Sequence, residues 1–194
     1  MRLKVTVFFA LVSVAGVCDK VPERGWERGY FRPIEETNKP WSLPAGLSLR
    51  SCVGAEDEDT LVSLLPLVAK IFNETDKRMT ATLPAGLVFE PGNYEYQYMI
   101  ILQPFVLTVP GDMDTTVLLP TFCCNEDLDE PDDESNYTIH SQEWEVEMNE
   151  LVDLLKGKRL VGYQTLELVQ SALFEITDGN GLTDTMRSKL ASLP

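Results

Sequence analysis

The chain has 194 residues, 31 carboxylates against 16 basic side chains and one histidine, for a formal charge of −15. That length allows a domain with a substantial core. The acidity argues against nucleic acid and anionic membrane as partners, because both select a basic face, and one histidine leaves little basis for a Ser-His or Cys-His hydrolase.

The chain opens like a leader peptide. Arg2 and Lys4 are basic, Val5–Val17 is an apolar run of 13 residues, and Ala15 and Gly16 supply small residues before a cleavage point. Such a run is too short to span a bilayer as a helix. Residues 1–18 are therefore expected to be a signal peptide, and the mature chain to be secreted or held at the cell surface. Cys18 stands where a lipoprotein leader ends on an acylated cysteine, although Val17 fits that pattern poorly. Lipidation at Cys18 is the only membrane attachment expected, and a single acyl chain anchors marginally.

Residues 19–42 are polar and broken by Gly25, Gly29, Pro33 and Pro40, with Trp26, Tyr30, Phe31 and Trp41 dispersed among them. We read an irregular lead-in, followed by a single globular domain over residues 43–194. Leu43-Pro44-Ala45-Gly46-Leu47 recurs as Leu83-Pro84-Ala85-Gly86-Leu87. Each copy combines a proline-fixed dihedral with a glycine that accepts positive φ, so each predicts a turn opening a strand. Leu61, Leu64, Leu65, Val68, Ile71 and Phe72 keep helical spacing behind Thr60 and predict a helix, interrupted by Pro66.

Residues 87–122 predict strands. Tyr94, Tyr96 and Tyr98 alternate along one face, Met99–Leu102 and Phe105–Val109 are short apolar runs, and Thr116–Phe122 leads into Cys123. Trp144, Met148, Leu151, Val152 and Leu155 then form a helical stripe with Ser141 as its cap and Gly157 beyond its end. Leu166, Val169, Leu173 and Ile176 mark a second helix over 165–176, and Thr183 caps a third that ends near Leu193. The fold class is α+β: an antiparallel β-sandwich or barrel followed by a small helical part.

Past the leader the cysteines are Cys52, Cys123 and Cys124, which form at most one bridge and leave a thiol over. An exported chain permits a disulfide. Residues 123 and 124 point to opposite faces of a strand, so one can pair with Cys52 while the other faces the core. On the second helix Gln170 has Leu166, Leu173 and Phe174 as neighbours, which half-buries its amide.

Two phrases carry a family resemblance. Gln170-Ser171-Ala172-Leu173-Phe174 resembles the Thr-Gln-x-Ala-aliphatic-Trp helix of bacterial surface thioester domains, with Val169 in place of the Thr and Phe174 in place of the Trp. Phe122-Cys123-Cys124-Asn125, ahead of an acidic loop, resembles their aromatic-Cys-x-Asn/Asp segment. The resemblance spans roughly residues 83–192, with a Cys–Gln interval short for the family. It implies an internal thioester between the Cys123 thiol and the Gln170 carboxamide, in an adhesin-like domain that captures an amine on a protein or surface ligand. Neither a cofactor nor enzymatic activity is expected of this chain. Cys52 and Cys124 are then the candidate disulfide pair. The alternative is a non-covalent extracellular interaction module of the same fold.

Two further groupings are weaker. Glu126–Glu134 holds seven carboxylates in nine residues but lacks EF-hand spacing, so we read a solvated charge run and no metal site. A zinc site would need Cys52, Cys123, Cys124 and His140 to converge without motif spacing. Asn73-Glu74-Thr75 and Asn136-Tyr137-Thr138 are glycan acceptors only in a eukaryotic host.

Overall fold

The structure is a computed structural model and describes residues 41–55, 63–140, 146–179 and 181–194. The leader with Cys18, most of the lead-in, Thr60, Leu61, Ser141 and Trp144 lie outside the described residues.

Among the described residues nine strands precede three helices. They are β1 (Leu47–Gly54), β2 (Leu67–Asn73), β3 (Met79–Leu83), β4 (Leu87–Pro91), β5 (Tyr98–Ile101), β6 (Phe105–Val109), β7 (Asp114–Leu119), β8 (Thr121–Cys124), β9 (Tyr137–Ile139), α1 (Val146–Leu155), α2 (Tyr163–Thr177) and α3 (Asp184–Ala191). All strand pairings are antiparallel, in sheets ordered β1-β2-β7, β3-β6 and β8-β5-β4-β9. The class is α+β, and the sheets do not close into a barrel.

The four-stranded sheet is the middle layer. Val88, Ile100, Phe122 and Cys124 face the helices and join Leu151, Leu166, Val169 and Leu173 in one cluster. Leu87, Phe89, Met99, Ile101 and Cys123 face the other sheets and join Cys52, Leu67, Ile71, Leu107 and Tyr137 in a second. Burial on both faces explains why Met99–Leu102 reads as a continuous apolar run instead of an alternating one.

Both Leu-Pro-Ala-Gly-Leu copies open strands. The Leu47 N–H donates to the Pro44 carbonyl at 2.9 Å and the Leu87 N–H to Pro84 at 3.3 Å, with Gly46 and Gly86 at φ of 95° and 83°. These are turns with positive φ at the third position, where glycine costs least. β1 and β4 begin at the final leucine of each copy.

Three expectations are corrected. Leu67–Asn73 is a strand, not the second half of a helix. Pro66 blocks helix propagation into it, and Val68 and Ile71 suit a pleated surface. The tyrosines do not share one strand face: Tyr94 lies in a turn, 68% exposed, and only Tyr98 enters β5. The run from 116 to 122 is two strands in two sheets, because Pro120 ends β7 and the chain turns into β8. The second helix is Tyr163–Thr177, and the Thr183 hydroxyl caps α3 by accepting from the Met186 N–H at 3.2 Å.

Candidate functional site

β8 is the edge strand of the four-stranded sheet, pairing with β5 as Met99↔Cys123 and Tyr98↔Cys124. Its other side would present unpaired peptide groups. α2 covers it. The Cys123 N–H donates to Gln170 Oε1 at 2.9 Å, and Gln170 Nε2 donates to the Cys123 carbonyl at 2.7 Å. One carboxamide thus takes the place of a neighbouring strand's peptide. Two helical turns on, Thr177 Oγ1 accepts from the Asn125 N–H at 3.3 Å, and Asp178 Oδ1 accepts from the Glu126 N–H at 3.1 Å. Gln170 and Thr177 are seven residues apart, close to two full turns, so they lie along one line of the helix. Phe174 sits between them and packs into the sandwich cluster. Asn125 takes φ of 72°, a conformation Asn tolerates better than most residues, and turns the chain out of β8 into the acidic loop.

Cys123 is 2% exposed and its side chain belongs to the sandwich cluster, while Cys124 belongs to the helix-facing one. Burial pushes the Cys123 thiol well up from its ordinary range, and the nearby Glu130 carboxylate pushes it further. Burial likewise raises Cys124, helped by Cys123 and Asp178, and lifts Cys52 from 9.0 to about 12. All three are neutral thiols at physiological pH, poor nucleophiles for oxidation or exchange.

No disulfide is present among the described residues. Cys52 and Cys124, the expected pair, stand in different clusters on opposite faces of the middle sheet; Cys123 shares the cluster of Cys52. The alternation of residues 123 and 124 was sound, but it turned Cys124 toward the helices. His140 follows β9, at the opposite edge of the sheet from β8, so topology separates it from Cys123. Among the described residues no group of three or more His, Cys, Asp or Glu side chains is placed to hold a metal, and no helix is long and apolar enough to cross a membrane.

The acidic segment is more than a solvated run. Glu126, Asp127, Asp129, Glu130, Asp133 and Glu134 are exposed, but Pro131 and Ser135 are buried. The loop is pinned: the Gln97 N–H donates to the Asp129 carbonyl at 2.9 Å, Gln97 Nε2 to the Leu128 carbonyl at 2.9 Å, and Tyr96 Oη to Asp132 Oδ2 at 3.0 Å. The Gly54 N–H donates to the Asp132 carbonyl at 2.8 Å, and a Cβ at Gly54 would meet Asp132 N at 2.5 Å. Glycine is required there by close approach. Asn73 is fully buried and its Nδ2 donates to the Lys77 and Val109 carbonyls at 2.7 and 3.0 Å, so the folded chain offers only exposed Asn136 as a glycan acceptor.

Cys123 and Gln170 stand out in the sequence, and Asn125 as part of the family motif; Gln97, Thr177 and Asp178 do not. The Gln170–Thr177 spacing along one helix face was the available signal. Comparison with protein families, with characterised proteins and with solved structures finds no match to this chain.

Proposed function

We propose that this is an extracytoplasmic adhesin-like binding domain whose Cys123 and Gln170 condense into an internal thioester, used to capture a primary amine on a protein or surface ligand. The observation that supports it is the approach of the Gln170 carboxamide to Cys123, whose main-chain N–H and carbonyl it bonds across 47 residues of sequence. In the condensation Cys123 Sγ adds to Gln170 Cδ, the Cδ–Nε2 bond breaks, and the thiol proton leaves with that nitrogen as ammonia. An incoming amine then attacks Cδ, the Cδ–Sγ bond breaks, and a proton from the amine returns to sulfur. Nothing is oxidised or reduced. Burial supports the bond's survival, since a thioester shielded from water hydrolyses slowly and held groups react faster than free ones.

A fluorescent primary amine tests this reading. Incubation with folded protein should label Gln170, identified by peptide mapping, and Cys123→Ala should abolish the label. Equal labelling of wild type and Cys123→Ala, or none in either, sinks the proposal.

A second reading rests on the same hydrogen bonds. Both ends of the Gln170 amide serve Cys123 peptide groups, and the Cys123 side chain sits within the sandwich cluster. Gln170 is then an edge clamp in a non-covalent binding module.

A further inference from the structure

Gln170 reaches Cys123 from the strand edge, but a different glutamine lies on the thiol's own face. Gln97 stands two residues before Met99, the cross-strand partner of Cys123. It lies one residue before β5, and alternation continued back from Met99 sets it on the face that Met99 and Cys123 share. Ladder spacing extended by that one residue gives roughly 7–8 Å between its Cα and that of Cys123, within reach of a long side chain. Tyr137, of the same sandwich cluster, donates its hydroxyl to the Gln97 carbonyl at 3.0 Å.

Gln97 is 3% exposed, and its Oε1 is buried without a hydrogen-bond donor, whereas its Nε2 is held by Leu128. A buried acceptor without a donor is costly, because it gives up its bond to water and gains none in return. Native interiors rarely keep one unless something brings the donor. The chemistry proposed for Cys123 brings one: an amine attacking Cδ carries N–H groups into this region and gains positive charge as its C–N bond forms. A neutral amide oxygen binds such a group more strongly as that charge develops. Glu130, whose charge is felt at the Cys123 thiol, favours a cation over an anion at the same place.

Resting on the thioester reading, we propose that Gln97 Oε1 receives an N–H of the attacking primary amine and so favours capture of amines over hydrolysis by water. If Gln97 served only to tie down Leu128 through Nε2, its loss would change amine and water reactions together.

The test uses the mature full chain with methylamine as probe. Intact mass first establishes that wild type carries the thioester; if it does not, the thioester reading and this proposal fall together, before any variant is compared. Reaction with methylamine and spontaneous hydrolysis are then timed for wild type, Gln97→Met and Gln97→Glu. The proposal expects the methylamine rate of Gln97→Met to fall about tenfold, the worth of one such hydrogen bond, with hydrolysis little changed. Gln97→Glu, which keeps an acceptor but loses the Nε2 donor, should react with methylamine at least as fast as wild type. A parallel loss of both rates in Gln97→Met, or no loss, overturns it. If Gln97→Met does not fold, the Gln97→Glu arm decides alone: a slowed methylamine reaction there overturns the proposal.

Discussion

Replacing Gln170 with leucine removes the two hydrogen bonds that Gln170 makes to the Cys123 peptide groups at the β8 edge. The comparison belongs in a Cys123→Ala background, where no covalent bond can contribute and the Cys123 peptide groups remain. Leucine and glutamine have similar helix propensity, so α2 itself changes little. The cost falls on one N–H and one C=O of β8, each losing its partner beside a packed helix. At about 1–3 kcal/mol per unmet buried group, reduced because water reaches a half-exposed position, the expected loss is about 2–4 kcal/mol. With a urea dependence of about 1–3 kcal/mol per molar, the unfolding midpoint should fall by roughly 1–2 M with unchanged slope. Gln170→Glu sharpens the reasoning. Its carboxylate can accept from the Cys123 N–H but sets an oxygen against the Cys123 carbonyl; protonated, it can donate again. The protein's demand for a proton raises the folded pKa of that carboxyl. Its stabilisation is therefore present at acid pH and lost as pH rises through that pKa. A Gln170→Leu variant within about 0.5 kcal/mol of its background would refute the clamp.

Four other outcomes follow from the same geometry. Thr177→Val removes the acceptor of the buried Asn125 N–H and should cost about 1–2 kcal/mol in urea unfolding, while Thr177→Ser should cost less. Asn125→Gly accepts the φ of 72° and Asn125→Val does not, so the valine variant should be the less stable by at least about 1–2 kcal/mol. Burial raises the Cys52 thiol from 9.0 to about 12, so its stabilising contribution is whole below about pH 9 and is lost as pH climbs toward 12; urea midpoints should fall across that window, and less steeply in Cys52→Ala. Gly54→Ala drives a methyl into the Asp132 main chain, and hydrogen exchange should accelerate across residues 126–135 while the helices stay protected.

Local chemistry made part of this fold legible. The two Leu-Pro-Ala-Gly-Leu turns, the helical stripe ending at Leu155 and the Thr183 cap depend on neighbours a few residues apart, and all three appear in the structure. The site was half legible: Gln170 and Cys123 stood out as residue types, and their meeting is a tertiary fact. What sequence spacing misread were features decided by distant partners. Val68, Ile71 and Phe72 continue the helical spacing of Leu61, Leu64 and Leu65, but they lie in Leu67–Asn73, which pairs with β1 and β7 across the sheet. Cys124 faced the helices because Cys123 took the sandwich side. Gln97 gave no local sign, since its burial comes from the loop 31 residues later that bonds its side chain.

The most direct test of the proposed Cys123–Gln170 bond is the intact mass of the mature protein, purified without heat or nucleophilic buffer. A thioester gives a mass one ammonia below the sequence value, rising by one methylamine on treatment with that amine, and the full sequence mass for Cys123→Ala. A wild-type mass equal to the plain sequence, with the Gln170 carboxamide intact on peptide mapping, contradicts it.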